Sequence, residues 1–432
     1  MKKITIILLL LLPLSVMAKQ YTLEQCVDSA LANNISVQQQ RNQYDVQRIQ
    51  YSQQKVNLAP TISGNIGQAF SFGRATGADN VTVSQNMANT SFSLSANLLL
   101  FDGLGMKYRI DEARLNMEAS ESETEKMELD IRMNISTMYL QVLLNKELLV
   151  VADTQLEATR LKLERNEQLV SQGRLAEGEL YTLQAQFSQE EYSRLQALNN
   201  VRLSLLDLAQ AMNVEFDDEF DIVTPPESEL EGRLLPSNED VLQSALQNRP
   251  EIKAAESQLK AQESALKGAK SAYSPTLSAG ANIGTGYYHL YGGENESFGK
   301  QLGNNFSTNI GLNLSIPIFD KMQTPNTVKR QKITIENQKL QILQTKQNLK
   351  KEIDQAYYNA LAAQTQQLSA EKAAESAKEA YRYAEQKFEA GRATTYEYYD
   401  AKTTWFRAQS EYLQAKYNWL FKLRILEYYT GK

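Results

Sequence analysis

The sequence predicts a mixed α and β membrane protein built from two tandem repeats, each combining a pair of strands with a long helical hairpin. Three observations predict this fold. Residues 106–172 contain neither glycine nor proline, and the order of elements in the first half recurs about 215 residues later. The strand-like segments alternate apolar residues with small polar ones, which is typical of strands that cross a bilayer.

The N-terminal residues have the pattern of a signal peptide. Lys2 and Lys3 precede an apolar run that ends near Ala18, and this run is shorter than the ~20 residues of a membrane-spanning helix. We therefore predict that residues 1–18 direct export. No long apolar run follows them, so we predict that no helix of the mature chain crosses a membrane.

Composition excludes several classes of function. The formal net charge is −6. The sequence lacks the basic patch that binding of nucleic acid requires, so we predict no nucleic-acid partner. Cys26 and His289 are the only residues of their kinds, which excludes a disulfide framework and a zinc site built from cysteine and histidine. We predict no enzyme activity, no catalytic residue, no cofactor and no metal site. Cys26 is interpreted as a small core residue, and His289, with the glycines of 280–293, as part of a barrel loop.

The repeat sets the predicted domain boundaries. The first repeat spans 19–223, the second spans 237–432, and a linker rich in proline occupies 224–236. Each repeat begins with a helix that runs on to a proline, at Pro60 and at Pro275. We predict a capping box at the start of each helix, formed by Thr22 with Gln25 and by Ser237 with Asp240.

Strands are predicted at about 61–73, 90–101, 276–288 and 306–319. Their polar positions carry Ser, Asn and Gly, whereas the alternative, a water-facing sheet on a soluble core, would normally carry Lys and Glu. Four strands cannot close a barrel, and an open edge in lipid is costly. Two copies would give eight strands with a filled interior, whereas three give twelve and leave a lumen. We therefore predict a homotrimer.

The long helices are predicted to be antiparallel coiled coils. The first spans 106–172 and the second 326–390, and turns follow at 173–178 and 391–394. Glycine suits the left-handed position that ends a helix. In the last helix, large and small residues alternate at heptad spacing, which favours packing over an aromatic ligand site. These residues are Tyr398, Ala401, Trp405, Ala408, Tyr412, Ala415 and Trp419.

Several of these motifs together resemble the TolC-like outer membrane efflux protein family. They are the duplicated plan, the Pro-Thr pairs that start the strands, the Phe-Asp pairs that end them, and the two Gly-Arg turns. The resemblance covers residues from about 21 to about 429. It implies a trimer with a 12-stranded outer membrane β-barrel and a periplasmic α-barrel, which conducts substrates passively from an inner-membrane pump and a periplasmic adaptor, in tripartite efflux or type I secretion.

The resemblance also implies two functional sites. The turns would dock the adaptor through Gly173, Arg174, Leu175, Gly391, Arg392 and Ala393. Acidic residues just beyond the second turn would form a periplasmic gate, and here these are Glu397 and Asp400. A solvated helix face is the alternative for the two acids. Some members have a cationic residue where this chain has Ala393. The resemblance therefore does not identify the contacts that close the gate.

Two other classes of protein fit the sequence less well. An exported periplasmic coiled-coil adaptor would show one helical hairpin among small β domains, and a scaffold without a channel would need no uncharged alternating strands. The sequence instead contains two hairpins and two strand pairs. The prediction is therefore an outer membrane exit channel, with outer membrane lipid around the strands.

Overall fold

The structure is a computed structural model that describes residues 20–76, 82–84, 86–226 and 234–430. The signal peptide 1–18 and residues 227–233 of the linker lie outside this range. Contacts divide the chain into two units. The first unit comprises Met1–Arg41, Thr124–Pro250 and Lys346–Lys432, and the second comprises Asn42–Glu123 and Glu251–Thr345. The repeat and linker boundaries stay predictions.

The helices and strands follow in chain order. The first repeat contains β1 (Gln20–Tyr21), α1 (Leu23–Asn33), α2 (Ile35–Val56), β2 (Thr61–Ser71), β3 (Arg74–Thr76), β4 (Thr82–Ser84), β5 (Asn86–Phe101), α3 (Gly105–Ser171), α4 (Glu177–Met212) and β6 (Asp221–Ile222). The second contains α5 (Asn238–Asn248), α6 (Pro250–Ser271), β7 (Thr276–Tyr291), α7 (Phe298–Asn304), β8 (Ser307–Ser315), α8 (Gln323–Glu389) and α9 (Thr395–Thr430). The short strands β1, β3, β4 and β6 were not predicted.

The first helix of each repeat is two helices, not the single one predicted. Asn34 adopts an extended backbone between α1 and α2, and its Oδ1 accepts the backbone N–H groups of Ser36 and Val37 at 2.9 and 3.4 Å. In the second repeat Arg249 is extended between α5 and α6. Proline at the next position, Pro250, disfavours the helical conformation of the residue before it and suits the first turn of a new helix.

The capping box is confirmed in the first repeat only. Thr22 N–H donates to Gln25 Oε1 at 3.0 Å, and Gln25 N–H donates to Thr22 Oγ1 at 3.3 Å. Ser237 precedes α5 with an extended backbone but makes no capping hydrogen bond through its side chain. The second predicted capping box is therefore wrong.

The Phe-Asp pairs are helix caps at the junction from strand to long helix. Asp102 Oδ1 accepts the N–H of Met106 at 3.0 Å, and Asp320 Oδ2 accepts the N–H of Thr324 at 2.7 Å. α8 therefore starts at Gln323, before the predicted residue 326, and includes Pro325. A proline in the first turn costs no intrahelical hydrogen bond.

Two consecutive residues at each junction have a left-handed backbone. They are Gly103 and Leu104 in the first repeat and Lys321 and Met322 in the second, with φ between 55° and 68°. The turn of the first repeat lies close to the end of α6. A Cβ on Gly103 would lie 2.5 Å from the Cβ of Ser274 and 2.8 Å from the carbonyl oxygen of Ser271.

We expect Gly103→Ala to destabilise the second unit by about 1–3 kcal/mol. Alanine is strained in the left-handed conformation of this residue, and its Cβ would clash with Ser274 and Ser271. The midpoint of thermal unfolding of the assembled protein would report the loss. Gly64→Ala is the matched control, since a Cβ there meets nothing within 4 Å. Equal midpoints for the two variants would contradict the clash.

The core of the first unit forms where α1, α3 and α4 pack together. Cys26 belongs to it and is fully buried, which confirms the interpretation as a core residue, and burial raises the pKa of its thiol to about 12. Val241, its counterpart in the second repeat, is also fully buried. Tyr139 Oη donates a 2.5 Å hydrogen bond to the carbonyl of Val223, which secures the chain after β6.

One helix among the described residues, α3, contains an 18-residue window that is long and apolar enough to span a membrane. This window differs from our prediction that no helix of the mature chain has the composition of a membrane span. Ile135, Val142 and Leu143 of α3 are almost completely buried in the core of the first unit. Packing therefore accounts for the apolar character of these residues.

Four antiparallel strands form the main sheet, in the order β2-β5-β7-β8. The four predicted strands are confirmed, although β5 and β7 are longer than predicted and β2 and β8 shorter. The placement of His289 in a loop is wrong, because it lies within β7 together with Gly280, Gly284 and Gly286. Glycine brings these backbones close to neighbouring strands: a Cβ on Gly286 would lie 3.1 Å from the carbonyl oxygen of Thr90.

The register gives the sheet two faces of different chemistry, since residues directly opposite each other share a face. One face is mainly apolar and includes Ile62, Ala96, Ala281 and Ile310 in a central row, with Ile66, Phe92, Leu94, Ile283, Leu98, Ala279 and Leu312 on either side. The other is small and polar and includes Ser63, Ser95, Asn282 and Asn309, with Asn65, Ser93, Gly284, Ser307, Asn97, Gly280 and Gly311. The apolar side chains of the outer strands are exposed, Ile66 by 77% and Ile310 by 80%.

Candidate functional site: the tips of the helical hairpins

Both hairpin turns have the same backbone geometry. Gly173 and Gly391 are left-handed, with φ of 70° and 67°. Arg174 N–H donates to the carbonyl of Leu169 at 2.8 Å, and Gly173 N–H to that of Val170 at 2.8 Å. In the second turn, Arg392 N–H donates to the carbonyl of Lys387 at 2.8 Å, and Gly391 N–H to that of Phe388 at 3.0 Å. Each turn is therefore a Schellman motif that satisfies the last carbonyls of its helix, as the glycines predicted.

The predicted docking residues differ in exposure. The glycines and arginines of both turns are exposed, while Leu175 and Ala393, at equivalent places in the two repeats, are half-buried. Each turn thus presents one arginine outward and one apolar side chain inward.

The predicted gate residues are both exposed at the start of α9. Glu397 has a structural partner: its Oε2 accepts the N–H of Thr394 at 2.9 Å, while its own N–H donates to Thr394 Oγ1 at 3.2 Å. These two bonds form a capping box at the start of α9. Next to it, Thr395 Oγ1 donates to Glu179 Oε2 at 3.3 Å, which joins the start of α9 to the start of α4.

A buried ion pair lies further along the same helices. Lys402 of α9 is 1% exposed and Glu190 of α4 is 5% exposed, with Lys402 Nζ 3.4 Å from Glu190 Oε1. Three further side chains, from α3 and α4, donate hydrogen bonds to the Glu190 carboxylate. Gln155 and Gln186 donate to Glu190 Oε1 at 3.1 and 3.0 Å, and Thr159 donates to Oε2 at 2.5 Å.

Lys402 also donates to the Thr159 hydroxyl, and lies 3.5 Å from the carbonyl oxygen of Gln155. Loss of hydration lowers the pKa of Lys402, and the Glu190 carboxylate opposes that shift. The cluster therefore connects α3, α4 and α9 through one buried positive and one buried negative charge.

A second polar group lies one helical turn closer to the tip. Lys162 of α3 donates to the hydroxyl of the fully buried Tyr398, and lies 3.6 Å from Glu385 of α8. Tyr381 donates to the same carboxylate at 2.8 Å. Burial lowers the pKa of Lys162 and raises the pKa of the Tyr398 hydroxyl. Burial also raises the pKa of Tyr381, to about 12.

The aromatic stripe of α9 packs, as predicted. The ring of Tyr398 stacks on Phe388 with centroids 4.9 Å apart, and Trp405 stacks on Tyr381 at 5.0 Å. Ala408, Ala415 and Trp419 are buried. These rings fill the space between the two helices of the second hairpin.

Sequence reasoning missed the buried polar residues, although one signal was present. Glu190 follows Leu183 by seven residues and Phe187 by three, so it occupies a core position of the heptad in α4. A charged residue at such a position needs a buried partner. Nothing in the sequence pairs it with Lys402, more than two hundred residues away.

The comparisons with known proteins identify the family. A family profile described as Outer membrane efflux protein matches residues 26–214 and 241–432, most of the chain. The chain belongs to this family. The two matched segments lie one in each repeat, and the family resemblance drawn from the sequence is confirmed. Members of the outer membrane efflux protein family are channel proteins, and this chain is an outer membrane exit channel.

Solved structures share the fold at low sequence identity. The Campylobacter jejuni CmeC outer membrane channel is 19% identical, with a TM-score of 0.75 over 95% of this chain and 85% of that one. The open state of the Neisseria gonorrhoeae MtrE outer membrane channel is 18% identical, with a TM-score of 0.75 over 95% and 88%. The outer membrane protein VceC of Vibrio cholerae is 15% identical, with a TM-score of 0.74 over 94% and 96%. No curated protein sequence matches.

Proposed function

We propose that three copies of this chain form a passive exit duct in the outer membrane, fed by an inner-membrane pump through a periplasmic adaptor. The duct has a 12-stranded barrel in the membrane and its helices in the periplasm. It conducts without making or breaking a bond, because the pump supplies the work.

The two-faced sheet carries this proposal. Its apolar face suits lipid, and its face of Ser, Asn and Gly suits a water-filled lumen. In the described chain β2 and β8 each pair on one side only. Backbone groups left unpaired in a bilayer cost several kcal/mol each, so neighbouring copies must cover these edges. Three copies of four strands close a barrel with a lumen.

The helix tips support the roles proposed for the turns and the acids. Arg174 and Arg392 are exposed on matching turns, so a trimer presents six arginines where an adaptor docks. Glu397 and Asp400 are exposed and one helical turn apart on α9. Six carboxylates around one axis attract cations and narrow the entrance. Opening separates the hairpins, and this breaks the bond between Thr395 and Glu179.

Single-channel recording in planar bilayers tests the duct. The purified protein is expected to give discrete conductance steps that divalent cations block from the side of the helices. We expect Glu397→Gln combined with Asp400→Asn to weaken this block at least about tenfold, because the charges are lost. Glutamine keeps the cap on Thr394, which alanine would remove.

Glu371→Gln combined with Glu375→Gln is the matched control, since both acids are exposed on α8 away from the turn. An unchanged block in the gate variant would remove Glu397 and Asp400 from the gate. The absence of any conductance from correctly assembled protein would overturn the duct itself.

A further inference from the structure

Side chains of the loop between β7 and β8, residues 292–306, form hydrogen bonds with the edge of β7 beyond the part that pairs with β8. The pairing of β7 with β8 ends at Gly284, opposite Ser307. Beyond this point, side-chain amides of the loop bond the edge of β7 at every second residue. Asn305 donates to the carbonyl of Gly286 at 2.7 Å. These side-chain bonds cover part of the edge of β7 that β8 leaves unpaired.

Gln301 of α7 is the central member of this arrangement and is 2% exposed. Its Oε1 accepts the N–H of Tyr288 at 2.9 Å, and its Nε2 donates to the carbonyl of Tyr288 at 3.0 Å. Asn295 makes the same pair of bonds with Leu290. Its Oδ1 accepts the N–H of Leu290 at 2.7 Å, and its Nδ2 donates to the carbonyl at 2.9 Å. These paired bonds fix α7 beside β7.

α7 lies against the apolar face of the sheet. Thr285 and Tyr287 have their side chains on that face, because Thr285 is opposite Phe92. Thr285 Oγ1 donates to the carbonyl of Leu302 at 2.6 Å, and the Phe298 ring meets the Tyr287 ring with centroids 5.2 Å apart. The remaining surface of Phe298, 50% of the residue, is exposed.

The height of α7 on the sheet corresponds to a bilayer surface. Tyr287 lies six residues beyond Ala281 of the central row, about 20 Å along the strand. At a strand tilt of about 45° this is about 14 Å from the midplane, near the edge of an apolar band about 25 Å tall. The row of Tyr287 also contains Gln68 and Thr90, whose side chains bond each other at 2.5 Å. Polar side chains therefore enter the apolar face at this row.

We propose that α7 is an interfacial helix that rests in the headgroup region of the outer leaflet and fixes the depth of the barrel in the membrane. The inference rests on the membrane-crossing sheet of the proposed function and extends it. The occupant of this surface is bilayer lipid, because the exposed side of Phe298 is continuous with the apolar face below it. Tyr291, which is 52% exposed and lies opposite Asn86, has its side chain on the same face. Lys300, ion-paired with Glu296 at 2.6 Å, has a long side chain that can reach the headgroups.

Tryptophan quenching by brominated lipid tests the proposal. Three single variants of the full chain are assembled in phosphatidylcholine vesicles whose acyl chains carry bromine either near the headgroup or near the chain end. Phe298→Trp reports on α7. Ile310→Trp reports on the central row of the apolar face. Tyr288→Trp, at the height of α7 but on the polar face, is the matched control.

We expect bromine near the headgroup to quench Phe298→Trp roughly twofold more than bromine near the chain end, since interfacial helices sit at the headgroup boundary. Ile310→Trp should show the opposite order, and Tyr288→Trp should respond to neither lipid. The signal of unmodified protein, from Trp405 and Trp419, is subtracted. If Phe298→Trp fails to assemble, Leu302→Trp, one turn along α7, gives the same readout.

Two results would overturn the proposal in different ways. If Ile310→Trp is quenched but Phe298→Trp responds only to an aqueous quencher, α7 stands clear of the lipid and the duct is unaffected. If neither variant is quenched in assembled protein, the membrane-crossing sheet fails as well.

Discussion

Lys402→Met is expected to lower the stability of the first unit by about 3–5 kcal/mol, because it leaves Glu190 charged and buried without its partner. Methionine fills a similar volume, so the loss is electrostatic and not a cavity. Lys402 and Glu190 are both nearly inaccessible to water, which excludes compensation by hydration. The measurement is the midpoint of thermal unfolding followed by circular dichroism of the helices.

The double variant Lys402→Met with Glu190→Gln separates charge from packing. It is expected to recover most of the loss, because glutamine is neutral and still accepts hydrogen bonds from Gln155 and Gln186. Lys372→Met, at an exposed position of α8, should leave the midpoint unchanged. A midpoint of Lys402→Met equal to that of the unmodified protein would show that the pair contributes nothing.

Ile310→Arg is expected to prevent stable insertion of the sheet into a membrane. Ile310 lies in the central row of the apolar face, and arginine at the bilayer midplane costs about 2–4 kcal/mol per subunit. Three copies multiply this cost in the assembled barrel. The measurements are the fraction of protein recovered in vesicles and the mass of the detergent-extracted complex, which should be that of a trimer for the unmodified chain.

Asn309→Arg is the matched control at the neighbouring position of the same strand. Its side chain lies on the polar face, where water hydrates the charge. We expect this variant to insert and assemble normally while shifting the conductance toward anions. If Asn309→Arg blocks insertion and Ile310→Arg does not, the two faces of the sheet have been assigned the wrong way round.

The sequence alone determined the repeated architecture, because the relevant signals are local. A strand's face follows from a period of two, so the alternation around Ile310 and Asn309 predicted the two faces of β8 before any register was known. A helix end follows from its own last residues, so Gly173 and Gly391 predicted the Schellman turns. A local rule also accounts for a break that we did not predict, because Pro250 disfavours a helical conformation of the residue before it.

Only the tertiary structure decided which distant residues meet. The link between Lys402 and Glu190 spans three helices, and the register of β5 against β7 joins residues almost two hundred positions apart. The placement of His289 in a strand also depends on that register. The physical reason is that these contacts arise from packing between elements, where the free energy belongs to pairs of residues and no single segment carries the information. Local sequence set the long helices and the faces of the main strands, and packing between elements set the buried charges between them.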